Sequence, residues 1–94
     1  MQDPEFQSTF SLANGVKLEP LGDGSAVLFS RALNESLSLN HTAALLCSFA
    51  DGQHTVEVVL QELRQTFPGD SVDAAALLRF LRDLETRKFI QIDR

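Results

Sequence analysis

The chain has 94 residues, of which 44% are hydrophobic and 22% are charged, as is ordinary for one globular domain with a single modest core. No apolar run approaches the roughly 20 residues that cross a bilayer, and the N-terminus lacks a signal-peptide pattern. A formal net charge of -5 works against partners that are recognised through phosphates. The single cysteine, Cys47, excludes an internal disulfide and fits a reducing compartment, so we expect a cytoplasmic protein.

The first fifteen residues give little indication of packed structure. Asp3–Phe6 has the sequence that two adjoining cloning sites encode, and Gln2–Phe6 is typical of an expression-vector remnant. Gln7–Gly15 is polar and contains serine, asparagine and glycine, which indicates a lead-in. We therefore expect residues 1–15 to be a vector remnant and a flexible lead-in, and residues 16–94 to form the folded domain.

Three short segments have the apolar patterns of strands. They are Val16–Leu21, Ser25–Ser30 and Ser36–Leu39. Turn residues separate them, at Gly22–Gly24 and at Leu33–Glu35. Short strands joined by tight turns form an antiparallel meander, in which an end strand is exposed at its edge.

Three helices follow the meander, and each is preceded by a residue suited to capping a helix. The caps are Asn40, Thr55 and Ser71. Asp51–Gly52 ends the first helix, Pro68–Asp70 breaks the chain before the third, and Phe89–Ile92 alternates as a final strand. This order predicts an α+β fold, with an N-terminal three-stranded antiparallel sheet packed on a winged-helix-like domain of three helices and a short C-terminal strand.

Three side chains invite a catalytic or metal-binding interpretation: His41, Cys47 and His54. Their spacings match no recurrent ligand pair, and Cys47 lies in an apolar helix where a thiol would be buried and inert. No nucleophile, base and orienting carboxylate can be grouped from this chain. We therefore expect no catalytic residue, no metal and no cofactor.

The helix pair around Pro68–Asp70 favours, by shape, a DNA-binding alternative. The third helix and its end carry four basic and three acidic side chains, namely Arg79, Arg82, Arg87, Lys88, Asp73, Asp83 and Glu85. Its first turn is acidic and rich in alanine, which is poorly suited to reading base edges. A winged-helix transcription regulator remains the alternative function.

The strand Ser36–Leu39 contains no lysine, proline or charge that would block another strand from pairing with it. A bound peptide could therefore add as a strand, with a groove near Ala75, Leu78 and Arg82 of the third helix selecting its side chains. Two other interpretations stay open. The edge is protected merely by being short, or it pairs with a second copy to form a weak homodimer. Leu78 is either a groove residue or a core residue.

Several motifs, taken in order, resemble the PqqD-like family, the precursor-peptide recognition domains of pathways that make ribosomal peptide natural products. The motifs are Leu37–Ala44, Asp51–Glu57, Phe67–Pro68, Phe80–Glu85 and Phe89–Ile90. The resemblance covers roughly Val16 to Ile92. One departure is Lys88, which stands where many relatives have glycine.

The resemblance implies a noncatalytic domain that binds the leader segment of a precursor peptide and presents it to a modifying enzyme. That enzyme would be a radical-SAM enzyme or the protease and cyclase of a lasso-peptide pathway. The residues implied for peptide binding are Ser36, Leu37, Ser38 and Leu39 through their backbone, and Ala75, Leu78, Arg82 and Glu85 through their side chains.

Overall fold

The computed structural model describes residues 3–69 and 71–93. A short 3₁₀ helix, Pro4–Gln7, comes first. The strands are β1 Thr9–Leu12, β2 Val16–Pro20, β3 Ala26–Ser30, β4 Glu35–Leu39, β5 Asp51–Thr55 and β6 Ile90–Asp93, and the helices are α1 His41–Ser48, α2 Val56–Thr66 and α3 Ala74–Thr86. Gln2 of the predicted vector remnant and Asp70 of the predicted break lie outside the described residues.

The predicted meander is confirmed as a sheet with the order β2-β3-β4, antiparallel throughout. The register pairs Leu28 of β3 with Leu37 of β4, and Ala26 with Leu39. Because side chains alternate along a strand, these residues share the face that packs on the helices. Leu28 is fully buried there, and β4 is left at one edge of the sheet.

A second three-stranded sheet has β1 at its centre, antiparallel to β5 and to β6. Phe10 of β1 is fully buried and lies opposite Ile92 of β6. The prediction that Gln7–Gly15 is an unpacked lead-in is therefore wrong for β1. Phe10 and Leu12 do alternate with polar residues, but the Ser-, Asn- and Gly-containing sequence around them indicates a lead-in, and the partners that satisfy the backbone of β1 come from distant parts of the chain.

The capping residues of the first two helices are confirmed, and that of the third is wrong. The Asn40 side chain accepts a hydrogen bond from the Ala43 amide at 2.8 Å, and Thr55 accepts from the Val58 amide at 3.2 Å. Asp73, rather than the predicted Ser71, caps α3. A carboxylate at a helix N-terminus also interacts favourably with the helix dipole, which favours Asp73 over the serine two residues earlier.

The α+β class is confirmed, with one hydrophobic core shared by both sheets and the three helices. Its fully buried members include Phe10 and Phe89 beside the second sheet, Leu28 in the meander, Leu63 in α2 and Leu81 in α3. The winged-helix arrangement stays a prediction. Within residues 3–69 and 71–93, no helix is long and apolar enough to span a membrane.

We expect Phe10→Ala to lower the free energy of unfolding by about 3–5 kcal/mol, because it opens a cavity at the centre of the second sheet. The matched control is Phe29→Ala, the same change at a side chain that is 38% exposed on β3. The control should cost less than about 1 kcal/mol. Urea unfolding of both variants measures the difference, and equal losses would contradict the central place of β1.

Lys88 takes the left-handed backbone conformation, with φ of 67°, at the point where the chain turns from α3 towards β6. A non-glycine residue in this region is strained by roughly 1–2 kcal/mol. Glycine removes this strain, but it loses more conformational freedom on folding, which cancels part of the gain. Lys88→Gly should therefore raise the free energy of unfolding by about 0.5–1 kcal/mol. Lys88→Ala, which keeps the strained backbone, should give no gain in the same denaturation experiment.

Candidate functional site

The edge of β4 is open on the side away from β3. In the described part of the chain, β4 pairs with β3 alone. Ser36 and Ser38 are exposed, whereas Leu37 is half-buried and Leu39 is buried. The strand begins one residue earlier than predicted, at Glu35, so one charge stands at its start. From Ser36 to Leu39, no side chain blocks the approach of another strand.

An apolar pocket lies where β4 ends and α1 begins, between α1 and α3. We call it the α1–α3 pocket; its volume is about 510 Å³. Asn40, which directly follows β4, is part of its lining. The other residues that α1 and α3 contribute are Thr42, Ala43, Leu46, Ala76, Leu77 and Phe80. The C-terminal end of β4 therefore adjoins an apolar cavity through Asn40.

Three of the predicted α3 residues line a different cavity, of about 550 Å³, which we call the N-terminal pocket. They are Ala75, Leu78 and Arg82, and Asp3 and Phe6 of the N-terminal segment lie opposite them. Successive helical residues turn by about 100°, so these side chains lie on the opposite flank of α3 from Ala76, Leu77 and Phe80. The structure therefore does not bring the predicted strand and the predicted α3 residues into one groove.

Two of the predicted α3 residues have structural roles. Leu78 is only 3% exposed, which makes it a core residue that also forms a wall of the N-terminal pocket. The Glu85 carboxylate accepts a hydrogen bond from the Ile92 amide at 3.2 Å and so ties α3 to β6. A direct contact of either residue with a peptide stays a prediction.

Arg82 is engaged by the chain itself. Its Nη2 lies 2.6 Å from Asp3 Oδ2 and 2.9 Å from Glu5 Oε2, and its Nε donates to Glu5 at 3.2 Å. These hydrogen bonds raise the pKa of Arg82 above its usual value, and the bonds to Glu5 raise it more than the bond to Asp3 does. The pKa of Asp3 is lowered, first by the Glu5 amide that bonds to it and second by Arg82. The guanidinium is thus occupied by acidic groups.

The residues on the α3 side of the α1–α3 pocket are not among the predicted site residues. The helical spacing of Leu77 and Phe80 with Leu81 predicts a core stripe, and Leu77 is indeed buried. Phe80 is only partly buried, and Ala76 beside it is exposed. A small residue one turn before an aromatic residue on one flank was the available signal, but periodicity does not tell a core stripe from a pocket wall.

His41, Cys47 and His54 do not converge. Cys47 is buried, as expected, and burial raises the pKa of its thiol to about 12. His54 lies in β5, with Nδ1 3.0 Å from Asp51 Oδ1. The pKa of Asp51 is lowered, first by the Gln53 amide and second by His54. Among residues 3–69 and 71–93, no three His, Cys, Asp or Glu side chains could hold a metal ion.

The Cys47 thiol should resist thiol reagents in the folded chain. Its raised pKa lowers the thiolate fraction about a thousandfold relative to a thiol of pKa 9.0. Titration with a chromogenic disulfide reagent should show slow reaction in buffer and complete reaction in denaturant. The thiol of the unfolded chain ionises at a lower pH than the buried thiol. The contribution of Cys47 to the free energy of unfolding is therefore present below pH 9.0 and is lost as the pH rises towards 12. Rapid native reaction would contradict the burial of Cys47.

Comparison with known proteins gives one family and two similar folds. The model of the PqqD family, coenzyme PQQ synthesis protein D, matches residues 25–90, well over half of the chain. No curated protein matches significantly. A structure titled "Heterocyclase in complex with substrate and Cofactor" matches 93% of this chain, with a TM-score of 0.66 and 14% identity. The heterocyclase TruD matches 90%, with a TM-score of 0.60 and 13% identity.

The likeness to the two heterocyclases is a likeness of fold. The chain spans only 11% of the length of each heterocyclase chain. It therefore has the fold of a small part of each of these larger proteins.

Proposed function

This chain belongs to the PqqD family, whose members act in the biosynthesis of ribosomally made peptides, and we propose that it binds the leader segment of a precursor peptide. It would do so without catalysis and present the peptide to a modifying enzyme. The observation that carries the proposal is the open edge of β4, Ser36–Leu39, which is followed directly by Asn40 in the wall of the apolar α1–α3 pocket.

Main-chain hydrogen bonds to β4 would supply sequence-independent affinity. An added strand pairs its backbone with the edge, and its side chains alternate between the two faces of the sheet. Those on the inner face would lie beside Leu37, and those on the outer face beside Ser36 and Ser38. The serines are small and exposed, so the outer face imposes little steric selection.

The α1–α3 pocket would supply selectivity. Its volume of about 510 Å³ falls in the range of sites that hold small ligands, and most of its walls are apolar. A large apolar side chain of the leader, placed just beyond the strand, would bury surface against Leu46, Leu77 and Phe80. Each such side chain contributes roughly 1.5–3 kcal/mol when fully buried.

The partner that receives the peptide would be a modifying enzyme, either a radical-SAM enzyme or a lasso-peptide protease and cyclase. Support comes from the family and from the likeness to a small part of two heterocyclases, one of which is described with substrate bound. In those heterocyclases, the similar fold is part of the enzyme chain itself. A separate domain would instead have to dock onto the enzyme to deliver the peptide.

Strand addition is tested by N-methylation of the peptide backbone, which leaves the protein unchanged. The probe is a labelled synthetic leader of the precursor peptide encoded beside the gene for this protein. Because alternate amides point towards and away from β4, N-methyl groups on one alternate set should weaken binding at least about tenfold, and those on the other set should not. Fluorescence anisotropy measures both. Equal affinities, or no saturable binding, would overturn the proposal.

Substitutions at two neighbouring alanines in the first turn of α3 would show which flank of the helix faces the peptide. Ala75 and Ala76 are both exposed, but they line the N-terminal pocket and the α1–α3 pocket, respectively. We expect Ala76→Asp to weaken leader binding about tenfold or more, because it places a carboxylate in an apolar pocket. Ala75→Asp, the matched control, should bind normally. The reverse result would assign binding to the flank of Ala75, Leu78, Arg82 and Glu85.

A further inference from the structure

The N-terminal pocket already holds a peptide segment of defined chemistry. Arg82 binds two carboxylates, those of Asp3 and Glu5, through several charge-assisted hydrogen bonds. The Glu5 side chain is only 16% exposed in this contact. Hydrogen bonds between a guanidinium and carboxylates are about twice as strong as neutral ones and are directional. The pocket therefore accommodates two acidic groups at defined positions.

An aromatic side chain completes the contact. Phe6 is 6% exposed, inserted beside Leu78 and Ala75 of α3. The 3₁₀ helix Pro4–Gln7 orients the three side chains together, because Asp3 caps it through the Glu5 amide at 3.0 Å. The segment thus presents two carboxylates followed by an aromatic ring, and α3 presents a cation followed by an apolar surface.

The pocket has room and charge beyond what this segment uses. A cavity of about 550 Å³ remains beside it, with Arg79 on its rim. Arg79 is exposed and has no hydrogen-bond or ion-pair partner within residues 3–69 and 71–93. The acidic residue on the same rim, Asp73, already caps α3. Among the described residues on the rim of the N-terminal pocket, the charge left without a partner is therefore positive.

The contact between the N-terminal segment and Arg82 has a different meaning if the segment is a vector remnant than if it is native. Residues 2–6 have the sequence expected of a vector remnant. A remnant in this position would be a stand-in for a natural occupant of the same chemistry. A native segment there would be a built-in competitor, held at an effective concentration in the millimolar range.

We propose that the N-terminal pocket is a second docking site, which binds a short segment of a protein partner with two carboxylates ahead of an aromatic residue. The site lies on the opposite flank of α3 from the α1–α3 pocket. If the proposed function holds, the partner can therefore dock while the leader stays bound. The acidic segment would belong to the partner and not to the leader.

The test uses the full chain with Asp3→Asn and Glu5→Gln, which frees Arg82 without shortening the protein. The probe is a synthetic peptide, Gln-Asp-Pro-Glu-Phe-Gln-Ser, and the control peptide has asparagine and glutamine in place of its acids. In ¹⁵N-labelled protein, the acidic peptide should shift the amide signals of Ala75, Arg79 and Arg82 saturably. It should bind at least about tenfold more tightly than the neutral peptide, and more weakly at high salt.

Charge reversal supplies the sharper control. Adding Arg82→Glu should abolish binding of the acidic peptide, and a peptide with lysine at both acidic positions should restore it. Because Phe6 still fills part of the pocket, the titration is repeated with Phe6→Ser added, after circular dichroism has shown that the variant is folded. The folded variant should bind the acidic peptide more tightly.

Three outcomes overturn the inference. They are no saturable shift in either variant, equal affinity for the acidic and neutral peptides, and shifts confined to Ala76 and Phe80. The last would place the acidic peptide in the α1–α3 pocket. Leader binding is measured in the same samples, so a loss of the docking site with normal leader binding leaves the proposed function intact.

Discussion

The antiparallel pairing of β1 with β6 is the constraint on which the rest of the structure depends. It joins two segments from opposite ends of the chain, with Thr9 opposite Asp93 and Phe10 opposite Ile92. Strand β6 follows α3, and Glu85 binds the Ile92 amide, so this pairing fixes where α3 lies against the core. Both pockets take one wall from α3. The geometry of both pockets is therefore set by the second sheet, although no residue of its strands lines either pocket.

The open edge of β4 combines a hazard with a use. An unpaired strand edge invites unwanted association, and native proteins limit that risk with charges, proline or short length. Here the edge is five residues long and has a charge only at Glu35. In the proposed function, the features that leave the edge unprotected would let it accept a peptide, and the adjoining α1–α3 pocket would restrict which peptide gains from pairing.

Helix α3 can serve two surfaces because its buried stripe separates them. Leu77, Leu81 and Leu84 hold the helix in the core, which leaves one flank at the α1–α3 pocket and the other at the N-terminal pocket. The two flanks differ in chemistry. The first is apolar around Phe80, whereas the second carries Arg82 with its carboxylate partners. A peptide and an acidic partner would therefore be distinguished by the flank that each one fits.

The sequence by itself determined the meander, the three helices and the family, because turns, caps such as Asn40 and apolar periodicity are local signals. The absence of lysine, proline and charge indicated that the strand Ser36–Leu39 is open to pairing. The second sheet was decided only by tertiary structure, since its three strands come from distant parts of the chain and local patterns do not show which strands pair. The same holds for the partners of Arg82, which lie 77 and 79 positions away. Periodicity placed residues on α3, but which flank met which neighbour depended on how the helix packs.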